Sequence, residues 1–330
     1  MNFIESIKEK AKQNKKIIVL PETMDRRVME AAAIALKEGI AEIILIGSKE
    51  DIEEKNQDLD LSLANRIYPE ENILTEDMIN HLYDLRKEKG MTLEEARNLI
   101  LNDYMYYACM LVKKGYADGV VSGACHSTAN TLRPSLQIIK TKPNAKLVST
   151  FFIMVVPDCE LGANGTFVFA DCGLVQKPTV EELSSIAGSS AESFNSLVGA
   201  EPLVAMLSHS TKGSAFHEDI DKVRDAANLA KREFSQYKID GELQLDAAIV
   251  PEIAQSKAPN SEVAGRANVL IFPDLDSGNI GYKLVERLAK AEAYGPLTQG
   301  IAAPINDLSR GCSVNDIVGV IAITAVQARK

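Results

Sequence analysis

Apolar and polar residues alternate in short blocks from the start of the chain. Positions 2–13 carry apolar side chains at helical spacing, IIVL follows at 17–20, an alanine-rich helical stretch runs from Arg26 to Lys37, and AEIILIG occupies 41–47. Brief apolar runs separated by helical segments predict a parallel sheet covered by helices. Residues 50–75 are charged and less periodic and read as connections. Two helices are expected within 82–115, the second capped by Thr92 with Glu95 reaching back, before a strand ADGVVSG at 117–123.

A second series begins with AKLVSTFFIMVV at 145–156. GTFVFADCG at 165–173 alternates enough to predict a strand in a mixed or antiparallel sheet, and short strands are expected at 205–209, 247–250 (AAIV) and 268–273. A chain of 330 residues also exceeds one comfortable hydrophobic core. Pattern and length together predict two α/β domains with a cleft between them and a boundary near 143–148. Periodicity leaves open whether the last 35 residues stay with the second domain or return to the first.

Composition narrows the class. With 46% hydrophobic and 25% charged residues, the chain is an ordinary folding sequence. Its net charge of −10 repels nucleic acid and anionic membrane, so any anion must be held by a local pocket. Cys109, Cys125, Cys159, Cys172 and Cys312 include no C-x-x-C pair, which predicts a reducing, cytoplasmic setting. The amino terminus lacks a basic head with an apolar core, and no run of apolar residues is long enough to span a bilayer.

Four segments could carry chemistry, because polar residues at the carboxyl ends of α/β strands meet helix amino termini. In VVSGACHSTANTLRPS, 120–135, Ser122, Ser127 and Thr128 could donate to phosphate oxygens and Arg133 could supply a planar fork. The alternative is a helix cap with a solvated arginine, and His126 reads equally well as a packed, hydrogen-bonded residue. The four histidines show no metal-ligand spacing, and no metal is expected. LSHSTKGSA, 207–215, resembles a phosphate loop in composition but lacks the full G-x-x-x-x-G-K-[ST] pattern, and could simply be a turn. FPDLDSGNIGYK, 272–283, lacks the last acidic ligand of an EF-hand and reads as a strand-to-helix junction. In PINDLSRGCSVNDIVGV, 304–320, Ser309, Arg310 and Asp316 flank a glycine turn, while Ser313 with Asp316 also forms a helix-cap pair.

Taken together, VVSGACHSTANTLRP, FADCG, LSHSTKGSA, DGELQLDAAIVP, SKAPNSEVAGRANVLIFPDLDSGNIGYK and QGIAAPINDLSRGC resemble phosphate acetyltransferases of the phosphate acetyl/butyryl transferase family, from LPETMDRR at 20–27 to the last helix. The resemblance implies reversible transfer of acetyl between coenzyme A and inorganic phosphate, giving acetyl phosphate. It implies two three-layer α/β/α domains with an interdomain cleft, of the isocitrate/isopropylmalate dehydrogenase-like fold. The first would comprise 1–146 plus a returning 296–330, and the second, 147–295, would dimerise. Ser309, Arg310 and Asp316 match the family's catalytic positions, Arg133 and Arg86 match arginines that hold coenzyme A, and Arg27 matches a further arginine for the same ligand. Transfer would be direct: phosphate on Arg310 attacks the thioester, Ser309 supports sulfur and developing charge, and in reverse Asp316 takes the thiol proton. The resemblance further implies no tightly bound cofactor, room for monovalent-cation stimulation, a homodimer, and coupling to acetate kinase. A phosphate butyryltransferase or a noncatalytic coenzyme A binding protein are the alternatives.

Overall fold

Asn2 opens the first helix, α1 (Phe3–Gln13), by accepting from the Glu5 N–H while the Glu5 carboxylate accepts from the Asn2 N–H, a reciprocal cap. Strand β1 (Ile17–Leu20) leads into α2 (Arg26–Glu38), capped by Asp25 and closed by Gly39 in the left-handed region. There follow β2 (Glu42–Ile46), a π-helical turn at Glu50–Glu54, β3 (Asn65–Ile67), α3 (Thr75–Arg86), α4 (Leu93–Asn102), α5 (Tyr104–Lys113), β4 (Gly119–Ser122) and α6 (Thr128–Ile138). The next stretch holds β5 (Ser149–Val155), a kinked turn α7 (Leu161–Asn164), β6 (Thr166–Ala170), α8 (Val180–Val198), β7 (Leu203–Leu207), α9 (Glu218–Glu233) and β8 (Lys238–Leu243). It continues through α10 (Leu245–Ile249), α11 (Pro251–Lys257), β9 (Val269–Ile271), α12 (Leu275–Leu288) and β10 (Glu292–Gln299), and the chain ends with β11 (Ile305–Asp307) and α13 (Val314–Gln327).

These elements belong to a computed structural model that describes residues 2–143 and 145–328. They fall into two units, Met1–Lys142 with Ile301–Lys330 and Pro143–Gly300. In the first unit five parallel strands are ordered β11-β4-β1-β2-β3. Helices α1, α2 and α13 pack on one face, and α3, α4, α5 and α6 form a connected layer on the other. Helix α13 is apolar nearly all round, the pattern of a buried helix, and Ile317, Ile321 and Ile323 have no exposed surface. Burying each such isoleucine stabilises the fold by about 1.5–3 kcal/mol.

The second unit is built on a six-stranded mixed sheet, β10-β5-β6-β9-β7-β8. As the alternation at 165–173 predicts, β6 runs antiparallel to β5 and parallel to β9. Helices α8 and α9 cover one face; on the other, Phe152 stacks on Tyr282 of α12 with ring centroids 4.0 Å apart.

Several expectations need correction. AAIV at 247–250 lies in helix α10 and its end, not in a strand. A four-residue apolar run fits either element, and here the buried Ala247 and Ala248 fill a helical turn. Residues 82–115 hold the end of α3 and two further helices, and α3 starts back at Thr75 within the stretch read as connections. The Thr92–Glu95 cap is present, with the Thr92 N–H 2.8 Å from Glu95 Oε2. Among the described residues no helix is long and apolar enough to cross a membrane.

Candidate active site

The strand order of the first unit places a crevice. From β1 the chain steps outward through β2 and β3, then returns to the opposite side of β1 for β4. Helix α2 leaves β1 toward the layer of α13, whereas α6 leaves β4 toward the layer of α5. Diverging connections of this kind open a binding crevice at the carboxyl ends of the two strands. The loops 21–25, 123–127 and 308–313 meet there, joined through Glu22 and Arg27.

Glu22, 1% exposed, ties the first two loops together. Its Oε2 accepts from the Gly123 and Ala124 N–H groups at 2.7 Å each, and its Oε1 accepts from the Cys125 and His126 N–H groups at 3.2 Å. The same oxygen lies 2.6 Å from His126 Nδ1. His126 is therefore hydrogen-bonded as one reading allowed, although its ring is exposed and not packed. No local sequence pattern pairs Glu22 with a loop a hundred residues away.

Arg27 closes the third side. Its Nε and Nη2 donate to Asp25, Nη2 also donates to the Ala124 carbonyl at 2.9 Å, and Nη1 donates to the carbonyls of Arg310 and Cys312 at 2.9 and 2.8 Å. A guanidinium has five N–H donors, and all five are committed. The hydrogen bonds to Asp25 raise the Arg27 pKa further. In this structure Arg27 holds together the loops that carry the other candidates.

Beneath the crevice lies Asp307, the last residue of β11, with no exposed surface. It accepts from Thr128 Oγ1 through Oδ2 at 2.6 Å, while Oδ1 has no hydrogen-bond partner. Burial pushes its pKa up to about 6 against the opposing hydrogen bonds. Thr128 is thereby anchored downward, and Ser127 caps α6 by accepting from the Asn130 N–H at 3.3 Å. Gly123, at φ +113°, makes this packing fit, since a Cβ there would stand 2.1 Å from Asp307 Oδ1 and 2.6 Å from the Leu308 nitrogen. Neither Glu22 nor Asp307 was singled out from the sequence; their only signal is a polar side chain at the end of a strand.

On the β11–α13 connection, Ser309 and Arg310 are exposed. Ser313 and Asp316 form the expected cap: Asp316 Oδ2 accepts from the Ser313 N–H at 2.7 Å and hydroxyl at 2.8 Å, and the Asp316 N–H returns to Ser313 Oγ at 3.2 Å. Asp316 Oδ1 has no hydrogen-bond partner among the described residues. The carboxylate is thus oriented through one oxygen.

The arginines divide cleanly. Arg26, Arg27, Arg66 and Arg97 each pair with a carboxylate in the first unit. Among the described residues Arg86, Arg133 and Arg310 have no ion pair, and Arg86 Nε is buried without an acceptor. Arg133, in the second turn of α6, and Arg86, the last residue of α3, both act on the phenol of Tyr106. Burial raises that phenol's pKa, Asp103 adds to the rise, and the two arginines oppose it. Unneutralised guanidiniums in a chain of net charge −10 are the features expected where a polyanion is received.

The remaining candidates resolve toward structure. In 207–215, Lys212 Nζ lies 2.6 Å from Asp240 Oδ1 and the Gly213 N–H donates to Glu242 Oε1 at 2.6 Å, so internal carboxylates occupy the loop's donors. Burial works to raise Asp240, yet Lys212, Lys231 and Ser261 hold its pKa down at about 2. Asp274 caps α12 by accepting from the Ser277 N–H, the strand-to-helix junction expected there. Burial pushes the Cys109 and Cys125 thiols up to about 12, Cys312 to about 11 and Cys172 well above its ordinary value. None of these four is an activated nucleophile.

Residues 2–325 match the family model described as "Phosphate acetyl/butaryl transferase". The phosphate acetyltransferase of Acetivibrio thermocellus is 60% identical over 332 residues, covering 100% of this chain and 99% of its own. That of Thermoanaerobacterium thermosaccharolyticum is 59% identical, covering 100% of both chains. A solved phosphotransacetylase from Streptococcus pyogenes superposes with a TM-score of 0.92 at 44% identity, over 99% of this chain and 98% of that one. Similarity of sequence and of fold along nearly the whole chain means that this chain belongs to the phosphate acetyl/butyryl transferase family.

Proposed function

We propose that the chain is a phosphate acetyltransferase, moving acetyl reversibly between coenzyme A and inorganic phosphate. The observation that carries this reading is the set of three arginines without carboxylate partners, Arg86, Arg133 and Arg310, in the unit whose other described arginines are all paired. Arg310 presents a planar fork to phosphate, and Arg86 and Arg133 receive the phosphates of coenzyme A. A phosphate oxygen attacks the thioester carbonyl, the C–S bond breaks as the C–O bond forms, and the proton that the attacking hydrogen phosphate gives up passes by way of Asp316 to the departing thiolate. Ser309 supports the charge that develops on the acyl group and sulfur. In reverse, Asp316 Oδ1 removes the thiol proton as sulfur attacks acetyl phosphate. No acyl-enzyme is needed, in keeping with the raised thiol pKa values. Holding both substrates together lowers the entropic part of the barrier.

Further parts of the reading concern the whole chain. Ile280, Leu284 and Leu288 form an exposed apolar stripe at four-residue spacing on α12, which supports a homodimer built on the second unit. Five free cysteines support a cytoplasmic setting, where acetyl phosphate would pass to acetate kinase. No tightly bound cofactor is invoked, and monovalent-cation stimulation is measured by exchanging the salt in the assay. The reaction itself is tested by phosphate-dependent loss of thioester from acetyl-CoA beside butyryl-CoA, with product identification. Preferential acetyl phosphate formation is expected; butyryl preference would reassign the substrate, and absence of turnover would leave a binding protein.

A further inference from the structure

We propose that Glu22, Cys125 and His126 form a binding site for a thiophilic divalent cation of the zinc type, at the edge of the β1–β4 crevice. A carboxylate, a thiol and an imidazole are the donor types that zinc selects. Their ligand atoms lie within 4.8 Å of one another. Cys125 Sγ is 3.3 Å from Glu22 Oε1 and 3.5 Å from His126 Nδ1, and Glu22 Oε1 is 2.6 Å from His126 Nδ1. Bonds of about 2.0–2.3 Å in a tetrahedral site put ligand atoms roughly 3.3–3.7 Å apart. The two sulfur separations already fit. Only the carboxylate–imidazole pair must open, by about 0.7 Å, as the cation replaces the shared proton.

The surroundings suit a cation. Glu22 is buried and its Oε2 is fixed by the Gly123 and Ala124 N–H groups at 2.7 Å, so Oε1 is held toward the thiol and imidazole by outer partners. Cys125 and His126 are both exposed, which gives a path from solvent and leaves a position for water. Met24 Sδ, 3.8 Å from Cys125 Sγ, adds a second soft donor on that side. On binding, the Cys125 S–H bond breaks, its proton goes to solvent, and a sulfur–metal bond forms. The His126 proton moves from Nδ1 to Nε2 by way of water, freeing the Nδ1 lone pair. Nothing is oxidised or reduced. Because the loop runs directly into Ser127 and Thr128, an occupied site would restrain the entrance to α6 and reversibly slow turnover.

The test is titration of the reduced, chelator-treated full chain with cadmium, following thiolate-to-metal charge-transfer absorption. We expect saturation at one cation per chain, loss of the band in Cys125→Ser, at least about ten-fold weaker binding in His126→Ala, and no change in Cys159→Ser. Each variant is compared with the parent by circular dichroism. An undiminished band in folded Cys125→Ser, or no saturable band in the parent, overturns the proposal. The band reports binding and not turnover, so this outcome is separate from that of the transferase assay.

Discussion

Arg27 gives every N–H to Asp25, Ala124, Arg310 and Cys312, whereas Arg86 keeps a buried Nε without an acceptor. The two should therefore fail differently. Arg27→Ala is expected to cost about 2–4 kcal/mol of stability, because several charge-assisted bonds between loops are lost together. Arg86→Ala should stay within about 1 kcal/mol of the parent but raise the KM for coenzyme A roughly ten-fold. Urea denaturation beside steady-state kinetics separates them, and equal destabilisation by both would remove the distinction. Asp307 adds a pH signature. Its folded pKa, about 6, lies above the ordinary 3.8, so the folded chain binds the proton more tightly. Stability from this group is present at low pH and is lost as pH rises through about 4 to 6, leaving a penalty of about 3 kcal/mol above that range. Asp307→Asn keeps an acceptor for Thr128 and removes the charge. Relative to the parent it should gain stability between pH 4 and 7; an unchanged difference across that range would contradict the assignment.

Elements differ in how openly the sequence announces them. Helix α13 is legible from its apolar run and from Ser313 followed by Asp316, and α12 from Asp274. Strand β11 is not, since IND offers one apolar residue in three, yet all three are buried because parallel pairing with β4 places them between two helical layers. Strand β8, KIDGEL, hides for the same reason: Asp240 and Glu242 are buried among partners supplied by the 207–215 loop. The candidate site was legible to the same degree. Ser309, Arg310 and Asp316 sit on a recognisable loop and cap, while Glu22 and Asp307 become meaningful only through contacts across the chain. The 123–127 loop depends on Gly123, and Gly123→Ala should cost about 2–4 kcal/mol through strain and the clash with Asp307 and Leu308. Thermal denaturation checks this, and parent-like stability would show that the loop has room.

Over the whole molecule, pattern and length predicted two α/β units, and the structure has two. Periodicity could not place the last 35 residues, because an apolar helix suits either core. Their place follows from β11 beside β4 and from Asn306 Nδ2, which donates to Thr324 Oγ1 and Gln327 Oε1 on α13 at 2.8 and 2.7 Å. That arrangement brings Arg310 to the edge where the β1 and β4 loops end, linked to both through Arg27. The most direct test of the account is phosphate-dependent acetyl transfer by the parent chain and by Arg310→Lys, at saturating acetyl-CoA and matched stability. The account predicts acetyl phosphate formation by the parent and a loss of about 10²-fold in kcat for Arg310→Lys, since an ammonium cannot reproduce the planar fork. No phosphate-dependent turnover by the folded parent, or parent-like kcat in Arg310→Lys, would contradict it.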